Sequence, residues 1–277
     1  MKNFITRTLA GAVFVAFIVA GICIHAYAFL FVFGLITGLT LWEFYGLLKH
    51  FEGAGLKRIV AVLGGVYLFF ATFMYANHLV GGSIFLPYLL FLMYVMIAEL
   101  YDKSSNPIHN WSFTFLAQVY CAGAFSLLNF ITSAPDAMGD VSYSYVFALA
   151  LFVFVWLNDT GAYLVGSTIG KHRLFERISP KKSWEGFWGG LVVAMGSSQL
   201  FAHFYPEVSW YNWLGLSVAV VLFATWGDLT ESLLKRALGI KDSGTLIPGH
   251  GGMLDRFDSV LMAIPAMYIY LELFIRN

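Results

Sequence analysis

Charged side chains are scarce in this chain of 277 residues, since lysine, arginine, aspartate and glutamate together make up 12% of it. Soluble domains usually carry about 25% charged residues. Half of that density is too low to cover a globular surface with solvated groups, and 59% of the residues are hydrophobic. The composition therefore excludes an ordinary soluble domain and predicts that lipid covers much of the surface.

The chain also lacks a charge excess and a cysteine framework. Its 16 basic and 16 acidic residues cancel, which argues against a nucleic-acid-binding surface. The two cysteines, Cys23 and Cys121, each lie inside an apolar run, and their spacing is not that of a metal-binding knuckle. We interpret both as small buried hydrophobic residues. The sequence also shows no internal repeat and no low-complexity tract.

Long apolar runs dominate instead. A membrane-spanning helix needs roughly 20 mostly apolar residues, and these runs predict an all-α, polytopic integral membrane protein with about nine transmembrane helices. The predicted spans are residues 8–24, 27–47, 59–77, 84–101, 111–131, 143–166, 187–205, 211–228 and 258–275. The first run, with Ala26-Tyr27-Ala28 after it, also fits a signal peptide. The next apolar segment follows at once, which favours an uncleaved first span.

The placement of lysine and arginine predicts the orientation of these spans. With the N-terminus in the cytoplasm, nine alternating spans put every lysine and arginine except Arg276 on the cytoplasmic side. The predicted outer loops carry Asp136, Asp140 and Glu207 instead. This asymmetry follows the positive-inside rule. It predicts a protein of the cytoplasmic (inner) membrane whose polar motifs face the cytoplasm.

The chain changes character near residue 150. Residues 1–150 hold apolar spans with short, weakly polar loops, and we predict that they serve lipid contact and packing. Their acidic residues, such as Glu43 and Glu99, fall near predicted cytoplasmic helix ends, which indicates interfacial placement. Polar residues cluster in residues 151–277, which we predict to be the catalytic transmembrane region with an active site at the cytoplasmic face.

Three polar segments stand out in that second part: Asn158-Asp159-Thr160-Gly161-Ala162-Tyr163, Ser179-Pro180-Lys181-Lys182-Ser183-Trp184-Glu185-Gly186, and the stretch from Asp228 to Asp258. At the start of the third, Asp228, Glu231, Ser232 and Lys235 have the spacing of one helix face. Two interpretations stay open for this face. It either presents catalytic groups or is a solvated surface held by ion pairs along the helix.

A glycine-rich loop and a pair of acids complete the third segment. The loop contains Gly244, Pro248, Gly249, His250, Gly251 and Gly252. Glycines allow backbone amides to approach a ligand closely, although turns between helices also need glycine. Asp255 and Asp258 share a helix face. Carboxylates suit Mg²⁺ and basic side chains suit phosphates, so the combination predicts metal-assisted phosphoryl-type transfer.

At these residues the sequence resembles the phosphatidate cytidylyltransferases, also called CDP-diacylglycerol synthases. Their C-terminal signature has the form S-x-x-K-R-x4-K-D-x-G-x-x-x-P-G-H-G-G-x-x-D-R-x-D. This chain matches the signature from Ser232 to Asp258 without a departure. The segments around Asn158-Asp159 and residues 179–186 are also similar to that family, so the resemblance is specific over roughly residues 155–260.

The resemblance implies a reaction in which CTP and phosphatidate give CDP-diacylglycerol and pyrophosphate for phospholipid biosynthesis. It further implies an all-helical membrane enzyme and a divalent metal, usually Mg²⁺, with a monovalent cation as a second candidate. A homodimer is also implied. The expected partners are CTP, phosphatidate and membrane lipid, without nucleic acid.

Individual roles follow from this resemblance and from the charges. The expected catalytic residues are Asp228, Asp255, Lys235 and Arg256. The expected metal ligands are Asp228 and Asp255 first, then Asp258 and Asp159. Substrate binding is expected from Lys182, Ser183, Ser232, Arg236, Lys241, His250, Gly251 and Gly252. Phosphatidate is already an oxyanion, so we expect His250 to position groups rather than to act as a base.

Three other classes of protein remain to be weighed. A transporter or channel should place ionisable residues near the membrane midplane on broken helices, whereas here they gather at one face. Another lipid-phosphate enzyme, such as a CDP-alcohol phosphotransferase or a CTP-dependent polyprenol kinase, is the second. The phosphotransferases carry a D-G-x-x-A-R…G…D…D motif, which this sequence lacks. A purely structural membrane protein would leave the polar segments unexplained.

Overall fold

A computed structural model describes residues 2–47, 57–103, 106–135, 141–244 and 251–276 of the chain. Within these ranges the protein is mainly helical. It divides into two compact units, one of Met1–Tyr145 with Asp242–Arg256 and one of Val146–Lys241 with Phe257–Asn277. The division near residue 145 lies close to the change of character in the sequence, but residues 242–256 group with the first unit.

The first unit contains six α-helices. They are α1 (Lys2–Cys23), α2 (Ala26–Leu47), α3 (Arg58–Ala76), α4 (Leu86–Ala98), α5 (Pro107–Ala117) and α6 (Ala124–Thr132). Two 3₁₀ turns, Gly82–Phe85 and Glu99–Tyr101, flank α4, and a π-helical turn at Gln118–Gly123 joins α5 to α6. Strands β1 (Ser133–Pro135) and β2 (Val141–Tyr143) then form an antiparallel pair with Ser133 opposite Tyr143.

Buried amides link the helices of this unit. Asn129 of α6 donates to the Phe69 carbonyl at 2.9 Å and to the Thr72 hydroxyl at 2.8 Å, both on α3. Gln118 donates to the Ala61 carbonyl at 2.8 Å. In lipid, where burial of apolar surface does not drive helices together, such interhelical hydrogen bonds help to hold them.

The second unit is built from α7 (Val146–Ile169), α8 (Trp184–Phe204), α9 (Trp210–Ala237) and most of α10 (Leu254–Phe274). Between α7 and α8 lies an antiparallel hairpin of β3 (Arg173–Phe175) and β4 (Ser179–Ser183), with Arg173 opposite Ser183. Glycines allow these helices to pack closely. A Cβ atom on Gly161 of α7 would lie 3.0 Å from the Cα atom of Gly190 of α8.

Seven helical segments in the described residues are long and apolar enough to cross a membrane. They are Ala26–Leu47, Arg58–Ala76, Gly82–Tyr101, Pro107–Thr132, Val146–Ile169, Trp210–Ala237 and Leu254–Phe274. These segments confirm an all-α polytopic membrane protein, whereas the count of nine spans stays unconfirmed. Within the part of α1 whose side chains the structure describes, Gly11–Cys23 is a shorter apolar stretch. Helix α8 is not among the seven, although it covers the predicted span 187–205.

The predicted burial of the two cysteines is half right. Cys121 is buried, but Cys23 is exposed. Cys23 is the last residue of α1, and its neighbour Ile22 takes the buried position instead. The prediction from the apolar run was therefore wrong for Cys23, because hydropathy alone does not say which side of a helix is covered.

The contact of α9 with α10 at Gly227 generates a stability prediction. A Cβ atom there would lie 2.6 Å from the Asp258 carbonyl oxygen and 3.1 Å from the Met262 Cβ atom. Backbone cannot move aside cheaply, so Gly227→Ala should destabilise the protein by roughly 1–3 kcal/mol. The measurement is thermal unfolding of the detergent-solubilised protein, where this variant should melt below wild type.

Gly196→Ala in α8 is the matched control, because nothing lies within 4 Å of a Cβ atom at that position. Alanine has the better helix propensity by about 1 kcal/mol, so this variant should melt at or above the wild-type temperature. If Gly227→Ala were as stable as Gly196→Ala, the close approach of α9 and α10 would be refuted.

Candidate active site

A cavity of about 600 Å³ lies in the second unit, among α7, α8, α9 and the β3–β4 hairpin. Its polar lining comes from Asn158, Asp159, Ser167, Arg173, Lys181, Lys182, Ser183, Thr225 and Asp228. Apolar side chains, including Tyr163, Leu174 and Phe187, form the remaining wall. Residues of all three polar segments of the sequence therefore line the same cavity, and the third segment contributes its first residue, Asp228.

Asp228 makes two contacts with other predicted site residues. Its Oδ2 atom pairs with the Lys182 ammonium at 2.5 Å, and the two side chains are 28% and 29% exposed. The Ser232 hydroxyl, one helical turn further along α9, donates to Asp228 Oδ1 at 3.2 Å. The structure therefore joins a predicted metal ligand to a predicted phosphate contact, and it uses Ser232 to orient the acid.

The same helix face continues into a buried charge cluster. Glu231 is fully buried, and it forms an ion pair with Lys235, which is nearly as buried. The Asp258 carboxyl interacts electrostatically with Asp228, Glu231 and Lys235, and it accepts the Ser259 amide at 2.6 Å. This burial excludes the solvated-surface interpretation for Glu231 and Lys235. Charges removed from water have to be paired.

The β3–β4 hairpin is fastened to the start of α8. Ser183 caps this helix, because its hydroxyl accepts the Gly186 amide at 3.1 Å. The Glu185 carboxylate accepts the amides of Lys171 at 3.1 Å and His172 at 3.2 Å, and its Oε1 atom lies 2.6 Å from His172 Nδ1. Hydrogen bonds from its own amide and then from His172 lower the pKa of Glu185 to about 2. These contacts fix the hairpin that carries Lys181 and Lys182.

Asp255 belongs to the first unit and holds backbone there. Its Oδ2 atom accepts the amides of Ser243 at 2.9 Å and Gly252 at 2.8 Å. Gly251 has φ +83°, a left-handed conformation that favours glycine. The Gly252 N–H group is donated to Asp255, and its contact with substrate stays a prediction. Asp255 itself stays a predicted metal ligand. Its described hydrogen bonds hold the backbone at Ser243 and Gly252.

Glu43 is a residue whose role the sequence did not reveal. It is 8% exposed, and its Oε2 atom accepts the Leu254 amide at 2.9 Å. The predicted interfacial placement stays a prediction, and the structure adds that the side chain is buried within the protein. The signal in the sequence that could have identified Glu43 is its position within an apolar span, because an ionisable residue there is costly and commonly functional.

The remaining predicted residues divide into two groups. Arg236, Lys241 and Arg256 are exposed, and His250 lies outside the described residues. Arg173 lines the cavity, although the sequence used it only to orient the spans. Among the residues that the structure describes, no three His, Cys, Asp or Glu side chains are arranged to hold a metal ion.

Acids and lysines line a cavity of this helical membrane protein. Such a lining is typical of a membrane enzyme that acts on anionic substrates. Comparison with known proteins makes the class specific. A family model described as the cytidylyltransferase family matches residues 5–274. The phosphatidate cytidylyltransferase of Haemophilus influenzae is 33% identical over 282 residues, which cover 94% of this chain and 95% of that protein.

Two shorter matches are stronger in identity. The phosphatidate cytidylyltransferase of Staphylococcus haemolyticus is 38% identical over 166 residues, covering 57% of this chain and 61% of that protein. That of Staphylococcus epidermidis is 46% identical over 127 residues, covering 45% and 48%. This chain belongs to the cytidylyltransferase family and is a nucleotidyltransferase. The family expected from the signature is thereby confirmed.

The Glu231–Lys235 pair generates a prediction about stability. Lys235→Met leaves the Glu231 carboxylate buried without its ion-pair partner, which should cost about 3–5 kcal/mol. Melting temperatures in detergent should fall for this variant and recover largely in the double variant Lys235→Met, Glu231→Gln. Lys241→Met, at an exposed lysine, is the control and should melt like wild type. An unchanged melting temperature for Lys235→Met would refute the buried pair.

The low pKa of Glu185 generates a prediction about pH. A carboxyl whose folded pKa is depressed from 4.5 to about 2 stabilises the protein above the unfolded value and loses this effect as pH falls toward the folded value. The melting difference between wild type and Glu185→Gln should therefore stay constant from pH 8 to about pH 5 and shrink below about pH 4.5. The exposed Glu176→Gln should show no such difference. A gap that widens on acidification would contradict the assignment.

Proposed function

We propose that this chain is a phosphatidate cytidylyltransferase, which transfers CMP from CTP to phosphatidate and releases pyrophosphate. The observation that carries the proposal is the cavity of the second unit, which Asp159, Lys182 and Asp228 line together. The chain that contains this cavity belongs to the cytidylyltransferase family. The relatives that match it carry the same activity in their names. The product, CDP-diacylglycerol, serves phospholipid biosynthesis.

The lining of the cavity suits substrates that combine phosphates with an apolar part. Arg173, Lys181 and Lys182 supply positive charge for phosphate oxygens. Tyr163 and Phe187 offer apolar surface to a lipid. Asn158 also lines the cavity, and its Oδ1 atom is buried with no hydrogen-bond partner among the described residues. That oxygen lies against Gly190 of α8, so it belongs to the contact between α7 and α8.

The proposed reaction is an in-line displacement. A phosphate oxygen of phosphatidate forms a bond to the α-phosphorus of CTP, while the bond from that phosphorus to the bridging oxygen breaks. The electron pair of the broken bond leaves with pyrophosphate. Phosphatidate is already an oxyanion, so no general base is needed. The protein contributes mainly by positioning the anionic groups and neutralising their charge.

A divalent cation fits the acidic side of the cavity. Mg²⁺ is usually held by one or two carboxylates and completes its coordination with water and substrate phosphates. Asp228 lines the cavity, and Asp258 interacts with it electrostatically, so these two acids would supply such carboxylates, with Asp159 of the cavity lining as the next candidate. Mg²⁺ bound there would supply charge neutralisation at the phosphates. Asp255 as a further ligand, and a second, monovalent cation, remain proposals from the resemblance.

The setting of the reaction follows from the substrates. The chain is an integral membrane protein, and we place it in the inner membrane with its active site facing the cytoplasm. CTP is a cytosolic nucleotide, and nearly all basic residues fall on that side of the predicted topology. A homodimer is proposed from the resemblance alone.

Labelled CTP tests the proposal directly. Membranes containing the protein, incubated with phosphatidate and Mg²⁺, should transfer α-labelled phosphate into the lipid fraction, whereas γ-labelled phosphate should stay in water. Asp228→Asn should lower this turnover by roughly 10²-fold or more, because a charge-neutralising group is lost. Glu272→Gln is the control, since Glu272 pairs with Arg276 near the far end of α10.

Each contrary result is informative. Transfer of the γ-phosphate to lipid would indicate a CTP-dependent kinase instead of a cytidylyltransferase. Turnover of Asp228→Asn close to wild type at saturating Mg²⁺ would remove Asp228 from the metal site. Substrate flux in sealed vesicles without lipid labelling would favour a transporter.

A further inference from the structure

Glu43 is an acid that the proposed reaction leaves without a role. It lies in α2, within an apolar span, and is 8% exposed. Charge in such a place is costly unless it is compensated, and it is commonly functional. The contacts that compensate it lie within the first unit.

The first of these contacts is with the beginning of α10. Glu43 Oε2 accepts the Leu254 amide at 2.9 Å, and Leu254 is the first residue of α10. The first amides of a helix have no acceptor within the helix, and negative charge at this end is favourable. Glu43 therefore caps α10 from another helix. The capped turn carries Asp255 and Arg256, two predicted catalytic residues.

The second contact is with Ser243, at the other end of the signature loop. By signature loop we mean the described residues 243, 244 and 251–253. The Ser243 hydroxyl donates to Glu43 Oε2 at 3.5 Å. A Cβ atom on Gly244 would lie 2.6 Å from Glu43 Oε1, and one on Gly252 would overlap Oε2. Real Cβ atoms essentially never come so close to another atom. A side chain at either of these two signature positions would therefore have to displace the Glu43 carboxylate.

Two further groups complete the arrangement. Asp255 binds the amides of Ser243 and Gly252, so two carboxylates join the residues on either side of 245–250. Arg58 at the start of α3 interacts electrostatically with Glu43, and its guanidinium lies 3.7 Å from the centre of the Trp42 ring. Arg58 therefore attracts Glu43 electrostatically, whereas the neighbouring Asp255 repels it.

We infer that Glu43 is a positioning residue of the catalytic centre, which holds the signature loop and the first turn of α10 in the conformation that presents Asp255 and Arg256. It acts through backbone amides and not on the substrate. Its effect on turnover rests on the proposed function, whereas its hold on the loop does not. The N-terminal helices would then take part in catalysis as a support for the site.

Hydrogen exchange tests the hold on the loop without any substrate. In detergent, the peptide covering residues 251–258 should exchange roughly fivefold to tenfold faster in Glu43→Ala than in wild type, the factor expected for the loss of one helix cap. Glu99→Gln is the matched control, because Glu99 is another acid of the first unit and accepts a hydrogen bond from the Asn110 side chain at 2.7 Å. Exchange in Glu99→Gln should equal wild type.

Kinetics separate positioning from mere stability. In Glu43→Ala, kcat for CMP transfer should fall by roughly tenfold to a hundredfold, as expected for slightly misplaced catalytic groups. The Mg²⁺ concentration for half-maximal rate should rise, while KM for CTP should change little. Glu43→Gln keeps the shape and one acceptor for the Leu254 amide, so it should lie between alanine and wild type. If Glu43→Ala does not fold, the kinetics and the hydrogen exchange of Glu43→Gln test the inference instead.

The outcomes are distinguishable. If wild type transfers label and both Glu43 variants keep its kcat and Mg²⁺ dependence, the inference is overturned, even if loop exchange accelerates. Unchanged exchange at residues 251–258 in both variants overturns it as well. If wild type does not transfer label, the proposed function fails, and the exchange experiment still reports on the contact between Glu43 and the loop.

Discussion

The site of this protein depends on one constraint, which is that a charge buried in a lipid-covered protein must have a partner. Lys182 pairs with Asp228, and Lys235 pairs with the fully buried Glu231. Glu43 is held by a backbone amide and is attracted electrostatically by Arg58. Each partner also fixes the position of the charge, most strongly where the pair is buried, as at Glu231 and Lys235. Pairing and catalytic preorganisation therefore arise from the same contacts.

Close helix packing makes this arrangement possible. Glycines at Gly161 and Gly190 bring α7 against α8, and Gly227 brings α9 against the backbone at Asp258. These contacts let side chains from three helices and a short hairpin line one cavity. The hairpin is itself tied to α8 by Glu185. An enzyme for lipid phosphates needs such a built polar interior, since lipid cannot solvate the phosphates of its substrates.

The position of Glu43 changes the view of the N-terminal helices. Residues 1–150 were predicted to serve lipid contact and packing, and nothing in their polar content suggested more. Yet residues 242–256 group with these helices, and an acid of α2 contacts both ends of that segment. Support of a signature loop by a distant span would explain why the protein needs helices that carry no chemistry of their own.

The sequence by itself determined the class of protein and its family. Composition and apolar runs depend on local properties, and the signature from Ser232 to Asp258 depends on spacing along one stretch, so both can be read without coordinates. Tertiary structure decided that Lys235 is a buried partner rather than a solvated lysine, that the Gly252 amide is donated to Asp255, and that Arg173 lines the cavity. It also decided the role of Glu43. Each of these rests on contacts in space that no local pattern records, because a side chain's partner and burial depend on how distant segments pack.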